Sequence, residues 1–292
     1  MVNKFVIRFA NDITPGSAPR AWSVGPGLPS LPSLLAHAKR HARWIAALAA
    51  LLALGLLLPY WSATGTTPVA FAHLWKWFPA LLSGLWVNVG ISLLAMALGT
   101  VAGLLLGALS FSRWRATRTA VRWYVQVFRN APTLVLIYFT TYVFPFEIRL
   151  FGGGVPFPDW VKVVLGLALP TSAIVAEIFR GAIQSIPSAQ WEAAQSLGLR
   201  RSQIFRRVVL PQCLRRMLAP WMNLYASITM STSLASLVGV HDVVDTAQIA
   251  SNTVARTDFT VLIYLVLLAL FFAYCYPIAH ATRGLERRHE RY

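Results

Sequence analysis

Few residues in this chain are placed to do chemistry. Its four lysines, Lys4, Lys39, Lys76 and Lys162, never follow a glycine, so no glycine-rich phosphate loop can form. Its six histidines make no His-Glu-x-x-His pair, and no nucleophile stands with a base in a catalytic pattern. What remains is contact chemistry in a polar window, residues 185–212, reading SIPSAQWEAAQSLGLRRSQIFRRVVLPQ. No longer stretch between Pro79 and Ala281 is unfit for lipid. Pro187 suits the first turn of a helix, where its missing N–H costs nothing. Gly198 suits a left-handed helix end. Trp191, Ala194 and Gln195 then share one side of the helix between them, and Glu192 and Ser196 another. A second short helix, about Ser202 to Leu210, is expected to stop at Pro211. Two short helices meeting at a glycine make a protruding knob, with an ordinary polar loop as the plainer alternative.

The elements that must hold this knob are apolar. Hydrophobic residues make up 57% of the 292 and charged residues only 12%, against a soluble protein. Several uncharged runs reach the ~20 residues that span a bilayer core. The net charge of +16 raises nucleic acid as a partner. The basic residues fall between apolar runs, however, and not on one soluble face, so nucleic acid is excluded.

Residues 1–42 are basic and dense in proline and glycine, which predicts a mostly unstructured tail. An extra span at 43–63 follows, with Trp44 and Trp61 as interface anchors. The second run, Trp77 to Ser112, would reach roughly 50 Å as a helix, beyond a ~30 Å core, so it tilts or projects. Gly99, Gly103 and Gly107 lay a bare stripe along it, which predicts close packing inside a bundle. Asn88, in the same run, needs a partner within the protein. Further spans are expected at Tyr124–Pro145, Val161–Phe179, Leu218–Val240 and Phe259–Ala281. Pro132 disturbs the first of these near its start, and Pro170 lies inside the second. A polar segment carries Glu147, Arg149 and Asp159, and a polar loop carries His241, Asp242, Asp245 and Asp258. Cys213 and Cys275 fall near cytoplasmic membrane ends, where reduced thiols are expected.

Charge sets the orientation. The tail, Arg113 to Arg122, the knob and the C-terminal arginines share one side; Lys76, Arg149, Lys162 and Arg256 take the other. Six spans with both termini cytoplasmic satisfy this, and they place the knob in the cytoplasm. Arg129, at a membrane end, is read as snorkelling to the surface.

Glu192-Ala193-Ala194, three residues, Gly198, nine residues, Val208, one residue, then Leu210-Pro211 resembles the EAA signature of ABC importer permeases. Thr171-Ser172-Ala173 with Ala176-Glu177-Ile178-Phe179-Arg180-Gly181 resembles their polar amino-acid branch. So do Val127-Phe128-Arg129-Asn130 with Pro132, and Thr232-Ser233-Leu234-Ala235-Ser236 with Gly239-Val240. The resemblance covers about residues 80–290. It implies an all-α polytopic bundle of the type I importer permease fold, its five-helix core at 78–290, in a bacterial cytoplasmic membrane.

It also implies partners. A cytoplasmic ABC ATPase dimer would bind ATP and magnesium, this chain holding no cofactor. A periplasmic or extracellular binding protein would deliver a polar amino acid, and a second permease subunit would complete the path. Trp191, Glu192, Ala193, Ala194, Leu197, Gly198, Leu199 and Arg200 are the expected ATPase-coupling residues. Asn88, Thr140, Thr141, Thr171, Ser172, Asn223, Ser227, Thr229 and Ser231 are candidates for the substrate path. Glu177 with Arg180, three apart on one helix face, and Pro132 and Pro211 are read as structural. Leu136 stands where the family often has glutamine, and Met230-Ser231 where Lys-Asp is frequent. Arg200 replaces a serine that would cap a helix. The missing polar groups favour a different chain, not a second copy, as the partner permease. A secondary transporter or channel working without an ATPase is the rival reading; a membrane enzyme lacks a catalytic constellation.

Overall fold

The computed structural model describes residues 67–150 and 153–289. The expected tail and the span Trp44–Trp61 lie outside them. The first described helix, α1, runs over Thr67–Leu109, 43 residues with Pro79 inside, beginning well before the expected Trp77. Its glycine stripe meets α4 (Asp159–Gln184). A Cβ on Gly99 would lie 2.5 Å from Thr171, on Gly103 2.6 Å from Val175, and on Gly107 2.7 Å from Phe179. The partners advance in matched steps of four, so the two helices run side by side in one direction with backbones nearly touching.

Two helices running the same way require a return between them. That return is split, which corrects the expected single span Tyr124–Pro145. α2 covers Arg115–Asn130 and α3 Thr133–Val143. Proline disfavours helical backbone in the residue before it, and Ala131 is extended at φ −73°, ψ 136°. Pro132 therefore ends one helix and opens another. With 11 residues, α3 rises only about 16 Å.

The polar segment before α4 forms an antiparallel hairpin, β1 (Glu147–Leu150) with β2 (Gly153–Pro156), Glu147 facing Pro156. The Phe157 N–H closes its base by donating to the Phe146 carbonyl at 2.8 Å. Lys162, expected as an outer-face charge, is fully buried. Its Nζ lies 2.9 Å from the Asp159 carboxylate and 4.0 Å over the Phe146 ring, partners that a buried cation requires.

Beyond α4 come α5 (Ser188–Ser196) and α6 (Arg201–Ile204). Here the expected stop at Pro211 is wrong. A π-helical turn over Phe205–Val209 leads directly into α7 (Leu210–Ser231). Its wider register takes the Leu210 N–H to the Phe205 carbonyl, five residues back, and Pro211 enters α7 in its first turn, where no donor is needed. α7 ends at Ser231, short of the expected Val240, in a 3-10 segment Thr232–Val238 that closes on Gly239 at φ +84°. The expected loop around Asp242 is mostly helix, α8 (Val243–Val254). Asp242 caps it, accepting the Val244 and Asp245 N–H groups at 2.9 and 2.8 Å. α9 spans Thr257–His289. α1, α4 and α9 each hold a stretch long and apolar enough to cross a membrane.

Candidate functional site

The knob projects where α4 gives way to α7. Pro187, at φ −57°, turns the chain into α5, and Arg216 of α7 braces the entry, donating to the Ser185 carbonyl at 2.6 Å and hydroxyl at 2.8 Å. The exit is a full Schellman cap. The Gly198 N–H donates to the Gln195 carbonyl at 2.9 Å and the Leu199 N–H to the Ala194 carbonyl at 3.3 Å. Gly198 takes φ +74°, a left-handed conformation natural to glycine. The cap that Arg200 fails to provide comes from the other direction: Gln203 Oε1 accepts the Arg200 N–H at 2.8 Å. That partner was visible in the sequence as a glutamine three residues on.

The eight expected coupling residues divide by side. Trp191, Ala194 and Leu199 pack inward on a core that includes Ile183, Ile186, Ile204, Val209 and Cys213. Glu192, Ala193, Gly198 and Arg200 are exposed, as is Leu197, at 80% the most exposed large apolar side chain of the knob. The inner face thus ties α5 to α4 and α7 together, leaving one carboxylate, one bare alanine and one leucine outward.

The path candidates do not converge. Thr140, Thr171, Thr229 and Ser231 each donate to a carbonyl of their own helix, and Ser172 donates to Leu169 while meeting the Tyr124 hydroxyl at 2.8 Å. Thr141 Oγ1 is buried with no partner among the described residues. Only Asn223 and Ser227 are exposed, one turn apart on α7. An apolar cleft of about 630 Å³ runs between Met230, Leu237, Leu268 and Phe272, and neither Asn223 nor Ser227 lines it. The Ser233 and Ser236 hydroxyls on its wall already donate to backbone carbonyls.

Asn88 has a structural partnership that sequence reasoning could not name. It is fully buried, as are Thr232 and Asp242. Asn88 Nδ2 donates to Asp242 Oδ2 at 2.9 Å and Thr232 Oγ1 at 3.1 Å, and its Oδ1 accepts the Val243 N–H at 3.1 Å. Burial pushes the Asp242 carboxyl up from the ordinary carboxylate range, against the pull of its N–H donors. Gly84, one turn before Asn88, lets this backbone approach: a Cβ there would lie 2.7 Å from Val243 Cα. We expect Asn88→Ala to strand the Asp242 oxygen and the Val243 N–H, lowering unfolding free energy in detergent by about 3 kcal/mol. Asn223→Ala, at an exposed site, should change it by less than about 0.5 kcal/mol.

Glu177 and Arg180 pair as two hydrogen bonds of 3.0 Å. Arg129, half-exposed, has its Nη1 3.6 Å from the same carboxylate, joining the end of α2 to α4.

The family model for binding-protein-dependent transport system inner membrane components matches residues 99–284. The chain belongs to this family. Its similarity to a probable amino-acid ABC transporter permease, YckA of Bacillus subtilis, is 31% identity over 215 residues, covering 74% of this chain and 91% of that one. The octopine transport system permease OccM of Rhizobium radiobacter is 33% identical over 229 residues, covering 74% and 88%. Among solved structures, an amino acid ABC transporter crystallised with histidines superposes with a TM-score of 0.64 at 26% identity, covering 75% of this chain and 98% of that one. The inward-facing MetNI methionine ABC transporter, at TM-score 0.52 and 16% identity over 71% and 97%, shares the fold. As an ABC transporter permease, the chain keeps the family's helical core.

Proposed function

We propose that this permease is the membrane subunit of an ATP-driven, binding-protein-dependent importer of polar amino acids, coupled through its knob to a separate ATPase dimer. The observation that carries the coupling role is the double attachment of α5. Its inner face packs on residues of both α4 and α7, so a push on the exposed Glu192–Leu197 side moves both helices at once. The glycine stripe locks α1 to α4, which extends the moving body to a third helix, as rigid-body switching requires. ATP and magnesium belong to the partner ATPase. Both termini lie in the cytoplasm of a bacterium, and a binding protein meets the opposite face.

The partner permease is a different chain. Most path hydroxyls here are already satisfied within their own helices, and Asn88 is held by Asp242 and Thr232, so this subunit offers a substrate little beyond Asn223 and Ser227. Purification of the intact complex tests this. The expected composition is two distinct permeases with an ATPase dimer; this chain as the sole membrane subunit would overturn it.

A further inference from the structure

We propose that the Arg115, Arg118 and Arg122 edge of α2, where the split return leaves the end of α1, binds the headgroups of anionic phospholipids. The helix carries four arginines and no acid. Its residues sort into three faces. Val121 and Val125 are buried with Tyr124 and Phe128 beside Ala173 and Ala176 of α4. Ala116, Ala120, Trp123 and Val127, spaced four, three and four, form a second, exposed apolar face. On it Trp123 is 68% and Val127 52% exposed, and Trp114 just before the helix is 75% exposed. Arg115, Arg118 and Arg122, spaced three and four, form the third, with Arg129 a further seven along.

Among the described residues, Arg115 and Arg122 have no ion-pair or hydrogen-bond partner. Arg118 donates to the Ser112 and Arg113 carbonyls at 2.7 and 3.1 Å, which pins the cationic edge to the loop leaving α1. A bilayer surface offers hydrocarbon to one edge of a helix and phosphate to the neighbouring edge. An acidic protein or a soluble phosphate would leave the Trp123–Val127 face in water. Placement agrees: α2 packs on the Ser172–Glu177 stretch of α4, the half leading to the knob. Positive charge at that end favours the anionic cytoplasmic leaflet. This inference rests on the membrane placement and is independent of the substrate and of ATPase coupling.

The test uses the full complex in phosphatidylcholine nanodiscs carrying a trace of photoactivatable phosphatidylglycerol, with crosslinks mapped by mass spectrometry. The expected label falls on residues 113–130 and is competed by phosphatidylglycerol but not by phosphatidylcholine or inorganic phosphate. It drops about tenfold in Arg115→Gln/Arg122→Gln and persists in Arg115→Lys/Arg122→Lys. Labelling confined to other segments, equal competition by phosphatidylcholine, or protection of this face by the ATPase subunit would each overturn the proposal. The wild-type arm decides even should the glutamine variant not fold.

Discussion

Gly198→Asp should insert and fold like the wild type yet lose about tenfold or more of ATP-driven uptake, the size of a coupling free energy of ~1–3 kcal/mol. The structure separates these outcomes. A Cβ at Gly198 meets nothing within 4 Å, so no clash arises inside the chain. The strain of φ +74° costs about 1 kcal/mol, and aspartate is among the side chains that tolerate it best. What changes is the exposed shoulder beside Glu192 and Leu197, which gains bulk and negative charge. A partner seated there would be displaced. Gly198→Ala, with strain but without charge, should retain more uptake than the aspartate variant. Uptake in proteoliposomes and crosslinking of the knob to the ATPase measure both effects; normal uptake in Gly198→Asp would remove the docking role from this loop.

Gly103→Leu should do the opposite, failing as a fold before any question of transport arises. A Cβ there would lie 2.6 Å from Val175 Cβ and 2.7 Å from the Ser172 carbonyl oxygen. Neither can give way without moving α4. Separating the helices also opens the contacts of Gly99 with Thr171 and of Gly107 with Phe179. The expected loss is about 3 kcal/mol, at the upper end for overpacking, read as a lowered unfolding midpoint in detergent. Gly90→Leu is the control. It lies on the same helix with nothing within 4 Å of its Cβ, and its midpoint should hardly shift.

The features legible from sequence are those in which one residue type dictates local geometry. The glycine stripe could only mean close approach, and Gly198 a left-handed turn. Glu177 and Arg180 needed nothing beyond helical spacing to be paired. Where the outcome depended on distant chain, the residues were silent. Asn88 announced a need for a partner, but Thr232 and Asp242 lie 144 and 154 residues away.

Two prolines misled in opposite senses. Pro132 is stronger than expected because it also extends Ala131, splitting a span in two. Pro211 is weaker because a π-turn brings it into the first turn of α7, where its missing donor is harmless. Asp242 lies in an expected loop, although an acid before Val243-Val244 is a sound helix cap. The polar residues that follow masked a helix whose apolar positions, Val243, Ala247 and Ala250, pack on α1 and α9. The path candidates remained scattered because a hydroxyl in a membrane helix satisfies itself on its own backbone, a choice that composition does not reveal.

In the proposed function the knob serves a second chain that supplies the energy. The direct measurement is amino-acid uptake into proteoliposomes holding this permease, its partner permease and the binding protein, with and without the ATPase and ATP. The prediction is uptake only when both ATPase and ATP are present. Equal uptake in their absence would make the protein a transporter in its own right and contradict the central claim.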